Sequence, residues 1–205
     1  MPAPPAPRFI YLASQSPRRR QLLAQIGVAH ELLLPGAEED AEGLEAERPG
    51  EAPAAYCARV TAAKLEAAVQ RLATRGLPPA PILCADTTVA LGAQILGKPQ
   101  DAADAARILG LLSGRQHEVI TSVAVADGGQ RRARQSVSTV QFAPLSPAQI
   151  EAYVASGEPF GKAGAYAIQS QAAAWIVHIA GSYSGIMGLP LYETACLLQE
   201  SGFSL

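Results

Sequence analysis

An apolar run that leads directly into a capped helix lies near the start of the chain and constrains its fold more than any other feature. The run RFIYLA (8–13) predicts a buried strand, and Ser16 followed by Pro17 is a typical helix start. Gly27 predicts the end of that helix. Because a strand followed at once by a helix is the repeating unit of α/β proteins, this segment favours that fold class.

The alternation of apolar runs and helical segments continues along the chain. Further helices are predicted from Pro53 to about Gly76 and over 101–114, 146–157 and 189–202. Further strands are predicted over 82–91 with a hairpin partner in 91–99, and over 117–129, 131–142 and 172–181. The acidic stretch 36–53 and the segment SYSGIMG (182–188) are predicted loops. The pattern therefore predicts an α/β fold with a mixed, twisted sheet and flanking helices.

Composition and charge exclude several classes of protein. Of the 205 residues, 49% are hydrophobic, which suffices for a sizeable core, and the formal net charge of -2 gives no overall attraction to nucleic acid or anionic membranes. Recognition of an anion must therefore be local. No apolar stretch has the length of a membrane span and the three cysteines are dispersed, so we expect a cytoplasmic protein with reduced thiols. The proline-rich segment 1–7 is predicted to be a disordered tail outside a single domain at 8–205.

Three arginines occupy the first turn of the Ser16 helix, where the helix dipole disfavours cations. Arg18, Arg19 and Arg20 follow the proline directly. One interpretation is that a phosphate binds at this helix N-terminus and accepts charge-assisted hydrogen bonds from them. The other is that all three are solvated surface residues, at a cost of roughly 0.3 kcal/mol each. The fragment alone leaves both interpretations open.

Five further polar positions could carry chemistry. Asp86 follows the apolar run ILCA, and a buried carboxylate there needs a cation, a metal ion or several donors; the alternative is a turn aspartate. Lys64 and Lys98 suit phosphate, although lysines commonly coat helices and turns. Glu39 offers the oxygen atoms that divalent ions prefer, although solvation is the ordinary role of an acidic loop. Gln169 can read a nucleobase through its amide or be a surface residue.

Six short motifs occur in order and together resemble those of one family. They are LASQSPRR (12–19), ADTTV (85–89), ILGKP (95–99), LSGRQHEVIT (112–121), KAGAYAIQ (162–169) and GSYSGIMGLP (181–190). Each is modest alone, but the six in register closely resemble the Maf family of nucleoside triphosphate pyrophosphatases, from about Arg8 to the last helix. The resemblance implies an inosine-triphosphatase-like fold with two lobes around a central cleft, and a homodimer.

The resemblance also implies an activity and residue roles. The reaction is hydrolysis of the α–β phosphoanhydride of a nucleoside triphosphate to a monophosphate and pyrophosphate with a divalent cation, Mg²⁺ or Mn²⁺, and no nucleic acid polymer or membrane is expected as a partner. By motif match, Asp86 is the proton acceptor, or alternatively a metal ligand. The remaining matched positions are Ser14, Arg18, Arg19, Lys64 and Lys98 for phosphate, Glu39 for metal, and Arg18, Thr87 and Gln169 for base selection.

Base preference and catalysis each leave an alternative. ADT with KAGAY-x-IQ resembles the branch acting on dTTP and UTP; 7-methyl-GTP or broad specificity is the alternative. Two departures bear on this preference, because segment 167–172 reads AIQSQA where the family commonly has GIQGxG, and Gly161 replaces an acid. A regulator of cell division that binds nucleotides without turnover is the alternative to an enzyme. The presence of both Asp86 and Glu39 favours catalysis.

Overall fold

One mixed sheet forms the centre of the computed structural model, which describes residues 9–40, 43–203 and 205; the predicted tail at 1–7 lies outside them. In this part of the chain seven strands follow the order β2-β1-β3-β5-β6-β7, with β4 paired to β3. The strands are β1 (Ile10–Leu12), β2 (His30–Leu32), β3 (Ile82–Leu91), β4 (Gln94–Leu96), β5 (Gln116–Asp127), β6 (Gln130–Phe142) and β7 (Ile176–Ala180). β1 runs parallel to β2 and β3, and the remaining pairs are antiparallel.

The helices that flank the sheet begin where the sequence supplies a cap or a proline. They are α1 (Pro17–Gln25), α2 (Pro53–Thr74), α3 (Ala102–Leu112), α4 (Pro147–Ala155), α5 (Tyr183–Met187) and α6 (Leu191–Glu200). The Ser16 side chain accepts a hydrogen bond from the backbone N–H of Arg19, and Ser146 caps α4 in the same way. The predicted α/β fold with a mixed sheet and flanking helices is confirmed.

Three local predictions need correction. Segment 182–188, predicted to be a loop, contains the short helix α5, because the Ser182 side chain accepts a hydrogen bond from Gly185 N–H and caps it. The last strand begins only at Ile176, because a 3₁₀ turn spans Gln171–Trp175. β2 was not predicted; its three residues are partly or largely exposed and gain their order from pairing with β1.

The hydrophobic core is divided between the two sides of a cleft, as the predicted two lobes require. On one side, α1 and α6 pack on the sheet through residues such as Leu23 and Leu197, while α2 packs on the opposite face through Leu65. On the other side, α3 and α4 pack together through residues such as Ile108 and Tyr153. Each fully buried leucine or isoleucine contributes about 2 kcal/mol, so both sides are well supported.

Strand β3 carries polar side chains in the middle of an otherwise apolar sequence. Asp86 and Thr87 are half-buried between fully buried neighbours. Successive side chains of a strand point to opposite faces of the sheet. Asp86 accordingly contacts a residue of α2, whereas Thr87 contacts a residue of α1. The strand therefore places two adjacent polar side chains on opposite faces of the sheet, one against α2 and the other against α1.

Candidate active site

A cavity of about 760 Å³ lies between the two sides of the fold. It is lined by the β1–α1 turn, the loop before α2, one face of α2, the centre of β3, the turn after β4, segment 161–169 and the end of α5. The structure brings together there all nine site residues that the family resemblance implies: Ser14, Arg18, Arg19, Glu39, Lys64, Asp86, Thr87, Lys98 and Gln169.

Two lysines and two carboxylates meet on one wall of this cavity, and we call them the carboxylate–lysine cluster (Glu45, Lys64, Asp86 and Lys98). The Lys64 ammonium donates to Asp86 Oδ1 at 2.6 Å and to Glu45 Oε1 at 2.6 Å. The Lys98 ammonium donates to Glu45 Oε2 at 2.9 Å. The backbone of Glu45 is held by the Tyr56 hydroxyl, which donates to its carbonyl at 2.8 Å. An ammonium has three hydrogens, so Lys64 keeps one for a ligand.

Mutual attraction keeps the cluster charged despite its partial burial. Burial lowers the pKa of Lys64, but the carboxylates of Asp86 and Glu45 outweigh it, so this pKa lies above its ordinary value. Burial raises the pKa of Glu45, but Lys64 and Lys98 together lower it by more. The pKa of Glu45 therefore lies below its ordinary value. Lys64 and Glu45 are therefore held in their charged forms at the cavity wall.

Glu39 lines the cavity but is held by a residue outside the cluster. Its two carboxylate oxygens accept from Arg71 Nε and Nη2 at 2.6–3.1 Å, and Oε1 also accepts from Gly36 N–H. The hydrogen bonds from Arg71 hold the pKa of Glu39 at about 2. Among the described residues, no group of three or more histidine, cysteine, aspartate or glutamate side chains could hold a metal ion. The carboxylates that converge on one cation are those of Glu45 and Asp86.

The Arg19 side chain donates three hydrogen bonds, all to groups outside its own helix. Its Nε donates to the carbonyl of Gly188 at 2.7 Å, Nη1 to Ser14 Oγ at 3.1 Å and Nη2 to Thr87 Oγ1 at 3.3 Å. Gly188 has φ +114°, a backbone conformation that favours glycine. Because a guanidinium has five N–H groups, two remain for a ligand.

Thr87 continues this arrangement into the interior, and we call the linked groups the hydroxyl chain (Arg19, Thr87, Thr121 and Gly185). Thr121 lies directly opposite Thr87 on β5 and is fully buried. Its Oγ1 lies 3.0 Å from Thr87 Oγ1 and 2.8 Å from the carbonyl oxygen of Gly185. The chain carries no carboxylate, in contrast to the carboxylate–lysine cluster.

Two other cationic side chains of the cavity, Arg18 and Lys162, are only partly buried. Burial and the nearby Arg19 lower the pKa of Arg18, and burial and the nearby Arg18 lower the pKa of Lys162. Like charges that depress one another's pKa favour an incoming anion. Arg20 is exposed and is not part of the lining, so only this member of the arginine cluster fits the interpretation of a solvated surface residue.

Segment 161–169 forms the opposite wall and is held rigidly. A Cβ at Gly164 would lie 2.8 Å from Val89 Cγ1, so the backbone approaches β3 as closely as only glycine allows. The Tyr166 hydroxyl lies 2.8 Å from Nε2 of the buried His117. Burial lowers the pKa of His117 to about 4, so the imidazole is neutral. Gln169 is exposed at the rim.

Sequence reasoning missed Glu45, Lys162 and Thr121. Glu45 lies in an acidic loop where nothing distinguishes it from its neighbours before the loop folds over α2. Thr121 reads as an ordinary strand residue until strand register pairs it with Thr87. Lys162 belongs to a motif that was identified, and its position beside Gly164 was an available signal.

Comparison with known proteins identifies the family of this chain. Residues 9–201 match the family model described as Maf-like protein. The chain belongs to the Maf family. A Maf relative from Albidiferax ferrireducens named dTTP/UTP pyrophosphatase is 64% identical over 197 residues, covering 96% of this chain and 98% of the relative. One from Polaromonas sp. with the same name is 59% identical over 201 residues, covering 98% and 100%.

A solved structure gives a more distant match to this Maf protein. A nucleoside-triphosphatase / dITP/XTP pyrophosphatase from Mycobacterium abscessus is 17% identical, with a TM-score of 0.42, covering 66% of this chain and 75% of that one. In the described part of the Maf chain, no helix has both the length and the apolar character needed to cross a membrane.

The two departures from the usual Maf pattern have visible structural effects. Ser170 Oγ donates to the carbonyl of Ala167 at 2.9 Å and lies 3.2 Å from the Tyr153 hydroxyl, so this serine ties the loop to α4. Ala167 lines the cavity with a methyl group where the family commonly has glycine. Gly161 also lines the cavity, so no acid neutralises Lys162 from that position.

Proposed function

We propose that this Maf protein hydrolyses the α–β phosphoanhydride of nucleoside triphosphates, with dTTP and UTP as its preferred substrates, to a nucleoside monophosphate and pyrophosphate. The relatives named dTTP/UTP pyrophosphatase support the reaction, since they match nearly the whole chain at 59–64% identity. The observation that carries the proposal is the carboxylate–lysine cluster, in which Asp86 lies against Lys64 in a cavity rich in cations.

The charges of the cavity suit a triphosphate. A nucleoside triphosphate carries several negative charges, and Lys64, Lys98, Arg18 and Lys162 each keep hydrogen-bond donors for it. Ser14 and Arg19 are linked to each other beside the start of α1, whose N-terminus also favours an anion. These cations would balance the charge that develops on the phosphate oxygens, which is the main source of catalysis in phosphoryl transfer.

Asp86 is the group proposed to act on the attacking water. Its Oδ1 accepts from Lys64, which leaves Oδ2 to accept from a ligand or a water molecule. As a general base it would orient the water and accept its proton; as a metal ligand it would hold a cation instead. Both roles require its negative charge, and the ammonium of Lys64 lies 2.6 Å from Oδ1 as the partner of that charge.

A divalent cation, Mg²⁺ or Mn²⁺, is proposed as the cofactor, and the donor set fits it. Such ions bind oxygen ligands, commonly one or two carboxylates completed by substrate phosphates. Asp86 and Glu45 fit because their carboxylates already converge on a single cation, Lys64. Glu39, which the family motif implies, would first have to leave Arg71. When bound, the ion would polarise phosphate oxygens and offset their charge.

The decisive experiment measures pyrophosphate release from dTTP, UTP, CTP, ATP, GTP and 7-methyl-GTP, each with Mg²⁺, with Mn²⁺ and with a chelator. We expect dTTP and UTP to be the best substrates and the chelator to abolish turnover. Asp86→Asn should lower kcat by about a thousandfold. The matched control is Glu66→Gln, which removes the charge of an exposed acid two residues after Lys64 and should leave kcat unchanged.

Each alternative has its own outcome. Preference for 7-methyl-GTP would overturn the assignment of Thr87 and Gln169 to pyrimidine selection. Tight binding of nucleotides without pyrophosphate release under any condition would favour a regulator. Near-normal turnover by Asp86→Asn would remove that residue from catalysis.

The family resemblance supports two further proposals: a homodimer, and a single domain at 8–205. Sedimentation of the full chain tests the first, and protease resistance of 8–205 as one fragment tests the second. A cytoplasmic location is a separate proposal, made from the dispersed cysteines.

A further inference from the structure

The turn that follows Lys162 contains an alanine in a left-handed conformation, and we call it the left-handed turn (Ala163–Ala165). Ala165 has φ +59°, and of the residues that the structure describes it is the one non-glycine with a positive φ. In this conformation the Cβ crowds the following carbonyl oxygen, so an alanine keeps it only where its surroundings enforce it. Such strain is concentrated at sites that bind ligands, and this turn lines the cavity.

The residue before Ala165 is anchored on the β3–β4 hairpin. The Gly164 N–H donates to the carbonyl of Gly97 at 3.1 Å, in the turn that carries Lys98. Gly164 also packs so closely on Val89 of β3 that a Cβ would not fit. The backbone therefore cannot shift at this end of the strained residue without losing a hydrogen bond and a close contact.

The residue after Ala165 is anchored on two other strands. The Tyr166 hydroxyl lies 2.8 Å from Nε2 of His117 in β5. The Tyr166 ring packs edge-on against His117 and against Phe142 of β6, with 5.5 Å and 4.9 Å between ring centroids. Because both ends are fixed on the sheet, Ala165 has to connect them in a left-handed conformation.

Loss of an anchor would move the chain before Ala165 more than the chain after it. Residues 164–168 are buried, whereas Gly161 is exposed and Lys162 and Ala163 are half-buried. An Ala165 that relaxed to a negative φ would change the direction of the backbone at the turn. The less buried end would take up that change, and it carries the Lys162 ammonium.

Lys162 depends on its backbone more than the lysines of the carboxylate–lysine cluster do. Lys64 and Lys98 pair with carboxylates, whereas the Lys162 ammonium donates to the backbone carbonyl of Glu158. A lysine that contacts a neutral carbonyl keeps its charge for an incoming anion. The position of this charge in the cavity is therefore set by the turn and not by an ion pair.

We infer that Ala165 and Tyr166 are positioning residues, which hold the left-handed turn on His117 and thereby direct the Lys162 ammonium to the phosphates of the substrate. Lys162 contacts the phosphate, and the other residues act through it. This inference rests on the proposed function, because a triphosphate is the ligand, and it names a further part of the phosphate site.

The test measures by calorimetry the affinity for inorganic triphosphate with a chelator present, so that neither a base nor turnover contributes. Lys162→Met should weaken binding by about tenfold, since a charge-assisted hydrogen bond is lost. Tyr166→Phe keeps the ring, loses the contact with His117 and should weaken binding by about fivefold. Added to Lys162→Met, it should have no further effect, because it acts through Lys162. Additive losses would overturn the inference.

A glycine at position 165 distinguishes positioning from a general structural role. Glycine adopts the left-handed conformation without strain, so Ala165→Gly added to Tyr166→Phe should restore the affinity to within about twofold of the wild type. A structural role alone predicts a further loss, because glycine adds backbone freedom and removes a buried methyl group. The matched control is Ala163→Gly, in the same turn but without a positive φ, which should not restore binding. Restoration by neither glycine, or by both equally, would overturn the inference.

The single glycine variants decide the matter if Tyr166→Phe does not fold. Ala165→Gly should bind inorganic triphosphate as the wild type does. Ala163→Gly frees the backbone next to Lys162 and should weaken binding by about threefold. An equal loss in the two variants would contradict a positioning role for Ala165.

Pyrophosphate release from UTP separates this inference from the proposed function. Normal release by a wild type whose triphosphate affinity is unchanged in Lys162→Met overturns the inference alone. The expected pattern of affinities, in a protein that releases no pyrophosphate from any nucleoside triphosphate, overturns the proposed function alone.

Discussion

The carboxylate–lysine cluster and the hydroxyl chain lie on the same cavity but hold their polar groups differently. In the cluster, long partly exposed side chains pair with one another, and the Lys98 side chain is 56% exposed. In the hydroxyl chain, the buried Thr121 and the half-buried Arg19 are anchored on the backbone carbonyls of Gly185 and Gly188, and Thr87 lies between them.

Because of this difference, we expect one region to adapt to a bound substrate and the other to discriminate between substrates. A lysine that leaves Glu45 for a phosphate exchanges one anion for another and loses little. The hydroxyl chain cannot rearrange without leaving a carbonyl oxygen unsatisfied in the interior, which costs about 1–3 kcal/mol. We therefore expect the cluster to adjust to substrate and the hydroxyl chain to select it.

The largest effect is expected for Lys64→Met, which removes the centre of the cluster. Asp86 would then lose its cation, Glu45 would keep only Lys98, and the triphosphate would lose a ligand. We expect kcat/KM for UTP to fall by about a thousandfold, as measured by pyrophosphate release. The matched control is Lys98→Met, because Lys98 is more exposed and pairs with Glu45 alone; it should lose only about tenfold. Equal losses in the two variants would show that the cluster is not centred on Lys64.

The second prediction is that acid first lowers the free energy of unfolding through the buried, neutral His117, and weakens the carboxylate–lysine cluster only at lower pH. Burial lowers the pKa of His117 to about 4 from 6.5, so unfolding takes up a proton between these values. Stability is complete above pH 6.5 and falls by about 3 kcal/mol as the pH approaches 4. Glu45, whose pKa is lowered, loses its contribution only at more acidic pH.

Urea unfolding at pH 7 and pH 4.5 tests this prediction. His117→Gln retains an amide that can pair with the Tyr166 hydroxyl but does not titrate in this range. The loss of unfolding free energy between the two pH values should be smaller in this variant by about 2.5 kcal/mol. An unchanged loss would mean that carboxylates, and not His117, limit stability in acid.

The third prediction concerns Arg19→Lys, which keeps the charge but not the three anchoring bonds. An ammonium on a flexible stem cannot contact Ser14, Thr87 and Gly188 in the same geometry. We expect kcat/KM for UTP to fall by about thirtyfold, chiefly through KM. Arg20→Lys alters an exposed residue of the same helix turn and should behave as the wild type. If Arg19→Lys also behaved as the wild type, the positive charge at position 19 would suffice for activity without the three anchoring hydrogen bonds.

The smallest effects distinguish the two glutamates. Glu45→Gln should raise the Mg²⁺ concentration needed for half-maximal activity by several-fold, since one proposed ligand loses its charge. Glu39→Gln should leave that concentration unchanged and lower the free energy of unfolding by about 1 kcal/mol, because Arg71 is buried and loses a charged partner. A raised Mg²⁺ requirement in Glu39→Gln would instead make Glu39 the metal-binding carboxylate, as the motif implies.

Local sequence signals predicted much of the fold because they act over a few residues. Ser16, Pro17, Pro53 and Ser146 each mark a helix start that the structure confirms. β2 could not be predicted in this way, because its three residues become a strand only by pairing with β1.

The site was predictable where a motif carried it and not where tertiary contacts decide. The family resemblance indicated that Asp86, Lys64 and Arg19 share a cavity, although they are far apart in sequence. The partner of Glu39 and the contacts of Glu45 depend on how an irregular loop folds over α2. The contact between Thr121 and Thr87 depends on strand register, which one sequence does not reveal.

The alternation of β3 has a consequence for how such enzymes diverge. The carboxylate proposed for hydrolysis and the hydroxyl proposed for base choice belong to consecutive residues whose side chains face different surroundings. A substitution of Thr87 would therefore be expected to change the choice of base while Asp86 and the proposed reaction chemistry are left intact. After gene duplication, a new substrate range would therefore lie one mutation away from an active ancestor.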